Sequence, residues 1–275
     1  MVDRIVYESH SHTPLCMHAE GLPSEYAEVA WQRGLKGLIV TCHNPMPDGF
    51  SSHVRMREDQ FDDYISMVKQ ATDKWAGKVD VRLGIEADYF EGYERFLENQ
   101  LQSADFQYVI GSVHPQIAEY RERYFTEDPF EYQKNYFHLL AKAAETGLFD
   151  SISHPDLVKN VTPDDWVPSR IMDTICKSLD RIAATGTAME LNTSGLRKVV
   201  VEMNPFPEML VEMSRRNIPV TLGADAHQPE RVADCFVEAL QLLHECGYQS
   251  ISVFLNRSRQ EICIQDALAS LKDFD

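Results

Sequence analysis

"RIVYESHSHTPLCMHAEG", residues 4–21, opens with a short apolar run and then places three histidines within nine positions. The run reads as a strand over 4–9. His10 and His12, two apart, then fall on one side of an extended segment. Histidine binds metals through either ring nitrogen, so the cluster asks whether later strand ends supply partners. Further strands are predicted over 36–42, 79–88, 107–113, 150–154, 188–192 and 218–225. Helices are predicted near 23–34, 57–76, 91–102, 129–146, 167–185, 205–216 and 229–246. A last apolar pair over 250–255 and 259–271 closes the chain. This alternation implies a parallel sheet covered by helices, open or closed into a barrel. No Pro/Gly/Ser-rich linker interrupts it, so residues 1–275 read as one domain. No GxGxxG follows the first strand, which weakens a dinucleotide-binding reading.

The partners are found at those strand ends. His43 follows the second predicted strand, Glu86 ends the third, His114 follows the fourth and His154 ends the fifth. Asp225 and His227 end the seventh, again two apart, and His18 lies in the loop after the first. Seven of the ten histidines thus fall just beyond strands, an excess over chance that needs a cause. In a closed barrel these loops converge on one mouth. Nine nitrogen and oxygen donors there suit borderline or hard divalent ions such as Zn, Mn or Fe. They exceed what one ion with an open position can use, so two or three metals are expected, with Glu86 as the bridging carboxylate. Such sites serve hydrolysis, because the ions lower the pKa of water and hold a phosphoryl or carbonyl oxygen.

A lone histidine at a strand end is usually a hydrogen-bonded loop residue. The HxH and DxH pairs, taken with four other strand ends, outweigh that reading. His138 and His244 lie within amphipathic helices and read as structural. Cys16 and Cys42 border candidate ligands without ligand spacing and read as packing residues. His53, with Arg55 beside it, lies in a loop within reach of the mouth and is a candidate substrate contact.

Composition narrows the partners. Twenty-six Lys and Arg against 43 Asp and Glu leave a net charge of −17, the opposite of a nucleic-acid footprint. Six cysteines without a CxxC pair indicate a reducing compartment. No apolar run approaches the roughly 20 residues of a membrane span, and the start "MVDRIVYESH" lacks a signal-peptide apolar region. A cytoplasmic protein acting on a small molecule, away from membranes and nucleic acid, is expected.

The ordered set HxH, His, His, Glu, His, His and DxH, from His10 to His227, resembles the polymerase and histidinol phosphatase (PHP) superfamily. The resemblance implies a distorted (β/α)7 barrel, a trinuclear metal centre at the C-terminal ends of the strands, and phosphoester cleavage. It assigns His10, His12, Glu86 and Asp225 to one ion, Glu86, His114 and His154 to a second, and His18, His43 and His227 to a third. "MELNTSGLRK", residues 189–198, is similar to the Asn-Thr-Ser-Gly-x-Arg segment of the superfamily's histidinol-phosphate phosphatases. It offers Asn192, Ser194 and Arg197 to substrate, and a guanidinium is a planar bidentate donor for phosphate oxygens. The expected reaction is hydrolysis of a small phosphate monoester, L-histidinol phosphate foremost. A hydroxide held by the metals beside Glu86 would attack phosphorus, with His227 or Asp156 as candidate proton donors. A nucleotide or other phosphomonoester is the alternative substrate. A metal amidohydrolase would want a lysine at a mid-barrel strand end, and none is found there. A relic binding module would have lost ligands, and none is missing.

Overall fold

The strands of the computed structural model, which describes residues 3–271, follow chain order within one sheet. They are β1 (Tyr7–Glu8), β2 (Gly37–Val40), β3 (Asp80–Asp88), β4 (Tyr108–Ser112), β5 (Ser151–Ile152), β6 (Ala188–Asn192) and β7 (Val220–Gly223), each parallel to the next. Beyond β1 and β7 the chain pairs again. Ser11 and Ala226 form a parallel bridge, with His12 N donating to Ala226 O at 2.9 Å and Ala226 N to His10 O at 3.0 Å. First and last strand segments are thereby joined, and the seven parallel strands form the expected distorted ring. β1 is shorter than the 4–9 read from sequence, and past it side chains take part in the pairing with the second strand segment. Ser11 N, for example, donates to the Thr41 hydroxyl at 3.2 Å.

Alternation divides each strand between the ring interior and the helices. Tyr7, Ile39, Tyr108, Ile110 and Ala188 form a separate apolar cluster with Val253, Phe254 and Leu255. The last three belong to β8 (Ser250–Leu255), which meets β7 at Ser252 and turns into antiparallel β9 (Ser258–Cys263). This hairpin seals the N-terminal end of the ring, with the Phe254 ring stacked 5.6 Å from Tyr108 and Arg257 bonded to Asp150 at 2.6 Å. The segment read as 259–271 therefore splits into β9 and α9 (Ile264–Leu271). Farther up, the interior turns polar: Glu86, Ser112, Glu190 and Asn192 stand at the C-terminal ends, all buried.

Helices α1 (Pro23–Gln32), α2 (Phe61–Trp75), α3 (Glu94–Leu101), α4 (Ala118–Tyr124), α5 (Pro129–Glu145), α6 (Met172–Thr185), α7 (Pro207–Arg215) and α8 (Phe236–Glu245) fill the connections. Proline pre-sets the first turn of α1, α5 and α7. Asp128 caps α5 by accepting from Phe130 N at 2.9 Å. α6 and α8 start later than expected because single 3-10 turns begin at Pro168 and Pro229. α4 occupies a stretch that carried no predicted element. No helix among the described residues is long and apolar enough to cross a membrane.

Candidate metal centre

Glu86 stands at the middle of the donor set, on the inward face of β3 and almost fully buried. Its Oε2 lies 2.7 Å from His43 Nδ1, 3.5 Å from His10 Nε2 and 3.7 Å from His12 Nε2. Its Oε1 lies 3.1 Å from His154 Nε2 and 3.5 Å from His114 Nε2. One carboxylate thus faces two groups of imidazoles, as a bridge between cations would. Asp225, across the ring on the segment after β7, comes within 3.1 Å of His12 Nε2 and 3.7 Å of His10 Nε2. Asp225 and His154 both hold positive φ, 50° and 24°, conformations that an L residue adopts at a cost and that cluster at functional sites. His18 and His227 form the outer edge, with Nε2 atoms 2.9 Å apart. All nine donors expected from the sequence therefore converge at the C-terminal end of the ring.

The atoms present fit cations. His10 Nε2, both nitrogens of His12 and Glu86 Oε2 are buried without a hydrogen-bond partner among the described residues. Native interiors leave few polar atoms in that state unless something else completes them. Burial pushes His43 down to about 3 despite the adjoining Glu86, and pulls His227 well below the ordinary histidine value. Both rings are neutral at neutral pH and offer bare lone pairs, the form a metal takes. Burial raises Glu86, but His43 and His10 outweigh it and hold the carboxyl well below the ordinary range, so it stays ionised.

Several of the ligand candidates are aimed by partners. His10 Nδ1 donates to Glu190 Oε1 at 2.7 Å, while Glu190 Oε2 accepts from His154 N and Asn192 Nδ2, both at 2.9 Å. His114 Nδ1 donates to Asp88, whose other oxygen takes the Arg55 guanidinium. Ser112 Oγ donates to Glu86 Oε1 at 2.6 Å, and Ser194 Oγ to Asp225 Oδ2 at 3.1 Å. Such partners fix ring tautomer and orientation. Sequence reasoning missed Glu190 and Asp88. The available signal was parity: Asp88 lies two residues beyond Glu86 on β3, and Glu190 two before Asn192 on β6. Gly223 makes the room, since a Cβ there would sit 2.4 Å from Glu190 Oε1 and 2.6 Å from His10 Cβ.

A cavity of about 520 Å³ opens over the centre, lined by His43, His114, His154 and His227 and also by His53, Arg121 and Lys198. The expected substrate contacts take different positions around it. Arg197 pairs with Asp234, its Nε and a terminal nitrogen 3.0 and 2.8 Å from Oδ2, and lines a second, smaller cavity beside His18, Asp225 and His227, while Lys198, 3.6 Å from Asp225, lines both cavities. Asn192 is fully buried, and it supports Ser194, which in turn holds Asp225. Arg55 reaches the cavity wall but spends its guanidinium on Asp88 and, at 3.0 Å, on Asn44 O. Asp156 is no proton donor to substrate, being fully buried and bonded to Asn204, Phe206 N and Lys159. His227 gives Nδ1 to Asp225 O and aims Nε2 at His18, an arrangement of a ligand rather than of an acid. His138 pairs with Arg181 on the outer helices, away from the centre.

The chain is similar to known proteins. Residues 8–194 match the family described as "PHP domain". The chain is 40% identical to a protein of Deinococcus radiodurans named "Probable histidinol-phosphatase", over 92% of this chain and 98% of the relative. It is 25% identical to the "Histidinol-phosphatase" of Bacillus subtilis, over 80% of this chain and 93% of that one. The crystal structure of histidinol phosphate phosphatase from Lactococcus lactis, complexed with zinc, L-histidinol and phosphate, superimposes with a TM-score of 0.79 at 20% identity. That match covers 92% of this chain and 98% of the other. Matched by the family over residues 8–194 and by a 40% identical relative over nearly all of that relative's length, the chain belongs to the PHP domain family.

Proposed function

We propose that this protein is a metal-dependent phosphatase that hydrolyses L-histidinol phosphate to histidinol and phosphate. The observation that carries the reading is the convergence of nine donors, several left without partners, beneath a cavity walled by cations. His10, His12, Glu86 and Asp225 would hold one ion, Glu86, His114 and His154 a second, and His18, His43 and His227 a third. Divalent ions in such a set supply Lewis acidity and a water-derived nucleophile at neutral pH.

The remaining work falls to the chain itself. Lys198, beside Asp225, and Arg121, also on the cavity wall, offer positive charge to the phosphoryl oxygens. Ile117 and Leu157 give the cavity an apolar wall against which a heterocycle can lie, and His53 and Gln116 add polar contacts at its edge. Glu190 and Asp88 hold His10 and His114 in place, so the donors are preorganised before substrate arrives. A volume of about 520 Å³ suits a small molecule and not a polynucleotide, which fits the net charge of −17 and a cytoplasmic setting. Turnover of L-histidinol phosphate, a nucleoside monophosphate and p-nitrophenyl phosphate, each with Mn2+ or Zn2+, tests the reading. A clear preference in kcat/KM for histidinol phosphate is expected. Preference for the nucleotide would move the substrate, and no turnover of any would end the phosphatase reading.

A further inference from the structure

Cys16, read from sequence as a packing residue, stands closer to the centre than that reading allows. It ends a single 3-10 turn, Pro14–Cys16, that Met17 closes at φ 68°, and its side chain is fully buried. Its sulfur lies within 4.8 Å of donor atoms of His12, Cys42, His18 and His227. With one nitrogen each from His18 and His227 it forms a triplet whose donor atoms all lie within 4.8 Å of one another. His18 gives Nδ1 to Cys16 O at 2.7 Å and His227 gives Nδ1 to Asp225 O at 3.0 Å. A ring that gives Nδ1 in this way carries its lone pair on Nε2 when it is unprotonated, and the two Nε2 atoms meet at 2.9 Å. Two lone pairs at that separation repel, and a cation between them and the sulfur turns the contact attractive.

We infer that Cys16 is a sulfur ligand of the outermost ion, sharing it with His18 and His227 and biasing that position toward thiophilic cations such as Zn2+ or Cd2+ over Mn2+. This rests on the metal-centre reading above and adds a ligand to it. A competing triplet, His12, Cys16 and Cys42, is as compact. Cys42 Sγ is already satisfied, however, accepting from Thr13 Oγ1 at 3.2 Å and lying 3.7 Å from Thr13 O. All three of its members are also buried, whereas His18 and His227 line the cavity through which an ion can enter. Coordination releases the Cys16 thiol proton to solvent as the metal–sulfur bond forms.

Full-length protein stripped of metal by a chelator and titrated with Cd2+ provides the test, read by sulfur-to-metal charge-transfer absorption. The band is expected to grow to saturation in the wild type and in Cys42→Ser, and to be lost in Cys16→Ser and Cys16→Ala. Zinc competition against a chromophoric chelator should show the dissociation constant of Cys16→Ser raised at least about tenfold, the floor for losing even a supporting contact. Circular dichroism of the metal-free variants guards against misfolding. The other four cysteines remain in every variant, so any signal from them persists in Cys16→Ser and is subtracted. No band in the wild type, or an undiminished one in Cys16→Ser, overturns the inference. Phosphatase turnover on the same samples keeps the two readings apart: turnover without the band sinks only the sulfur ligand, and the band without turnover sinks only the phosphatase.

Discussion

Glu190 sets how firmly His10 faces the centre, because one of its oxygens takes the imidazole and the other takes the backbone of His154. Replacing it with glutamine keeps the shape but removes the charge that makes Nδ1 the protonated nitrogen. Glu190→Gln should lower metal affinity by about 10- to 100-fold with unchanged circular dichroism, measured by chelator competition. Unaltered affinity would mean that Glu190 only fills space. Lys198 and Arg197 give a second contrast at this scale. These adjacent basic residues at the end of a 3-10 turn differ in partner: Arg197 is held by Asp234, and Lys198 lines the cavity over the metal donors. Lys198→Ala should raise KM for phosphomonoesters about tenfold, as expected for a charged contact. Arg197→Ala, whose guanidinium belongs to Asp234, should change KM by less than about twofold. The reverse order would restore the assignment made from sequence. The nine donors were legible because strand ends mark them. Glu190, Asp88 and Lys198 were not, since each looks like an ordinary polar residue until register and rotation are known.

At the scale of elements, the ring is open to the helices' side of prediction but closed by features a sequence hides. Strand and helix alternation could be read directly, because apolar runs of the right length sit between amphipathic segments. The closing bridge at Ser11 and Ala226 could not, since it involves a single residue on each side. Nor could the hairpin β8–β9 be recognised as a plug, because its apolar residues look like any strand's. That hairpin carries a stability role separable from chemistry. Phe254 sits against Tyr108 at the N-terminal end of the ring, opposite the metal donors. Phe254→Ala should cost about 3–5 kcal/mol and lower Tm by roughly 6–20 °C. The kcat of the folded protein, measured well below the new Tm, should stay within about twofold. A large fall in kcat at full folding would show that the plug also positions the centre.

Across the whole molecule, charge and closure act on the same few residues. The chain carries a net −17, and the ring gathers Glu8, Glu86, Asp88, Glu190 and Asp225 into its buried C-terminal half. Seven imidazoles face them there, all brought together only when first and last strands meet. Cations that occupy the donors therefore tie β1, β2, β3, β4, β5 and β7 to one another, and binding stabilises the folded chain over the unfolded one. At about a thousandfold excess over the dissociation constant, each ion adds about 4 kcal/mol. Chelator-treated protein should melt well below the Zn2+- or Mn2+-loaded protein and should have lost turnover, with both properties returning on addition of the ion. The sign with pH follows from competition for the same nitrogens. Imidazole must be unprotonated to bind; burial lowers His12, but the adjoining Asp225 outweighs it and lifts the ring to about 9, so protons compete and metal affinity falls as pH drops from about 9 downward. The gap in Tm between loaded and stripped protein should accordingly narrow from about pH 8 to about pH 5 and should recover with higher metal concentration. A gap that stays constant over that range would show that the histidines are not the groups holding the ions.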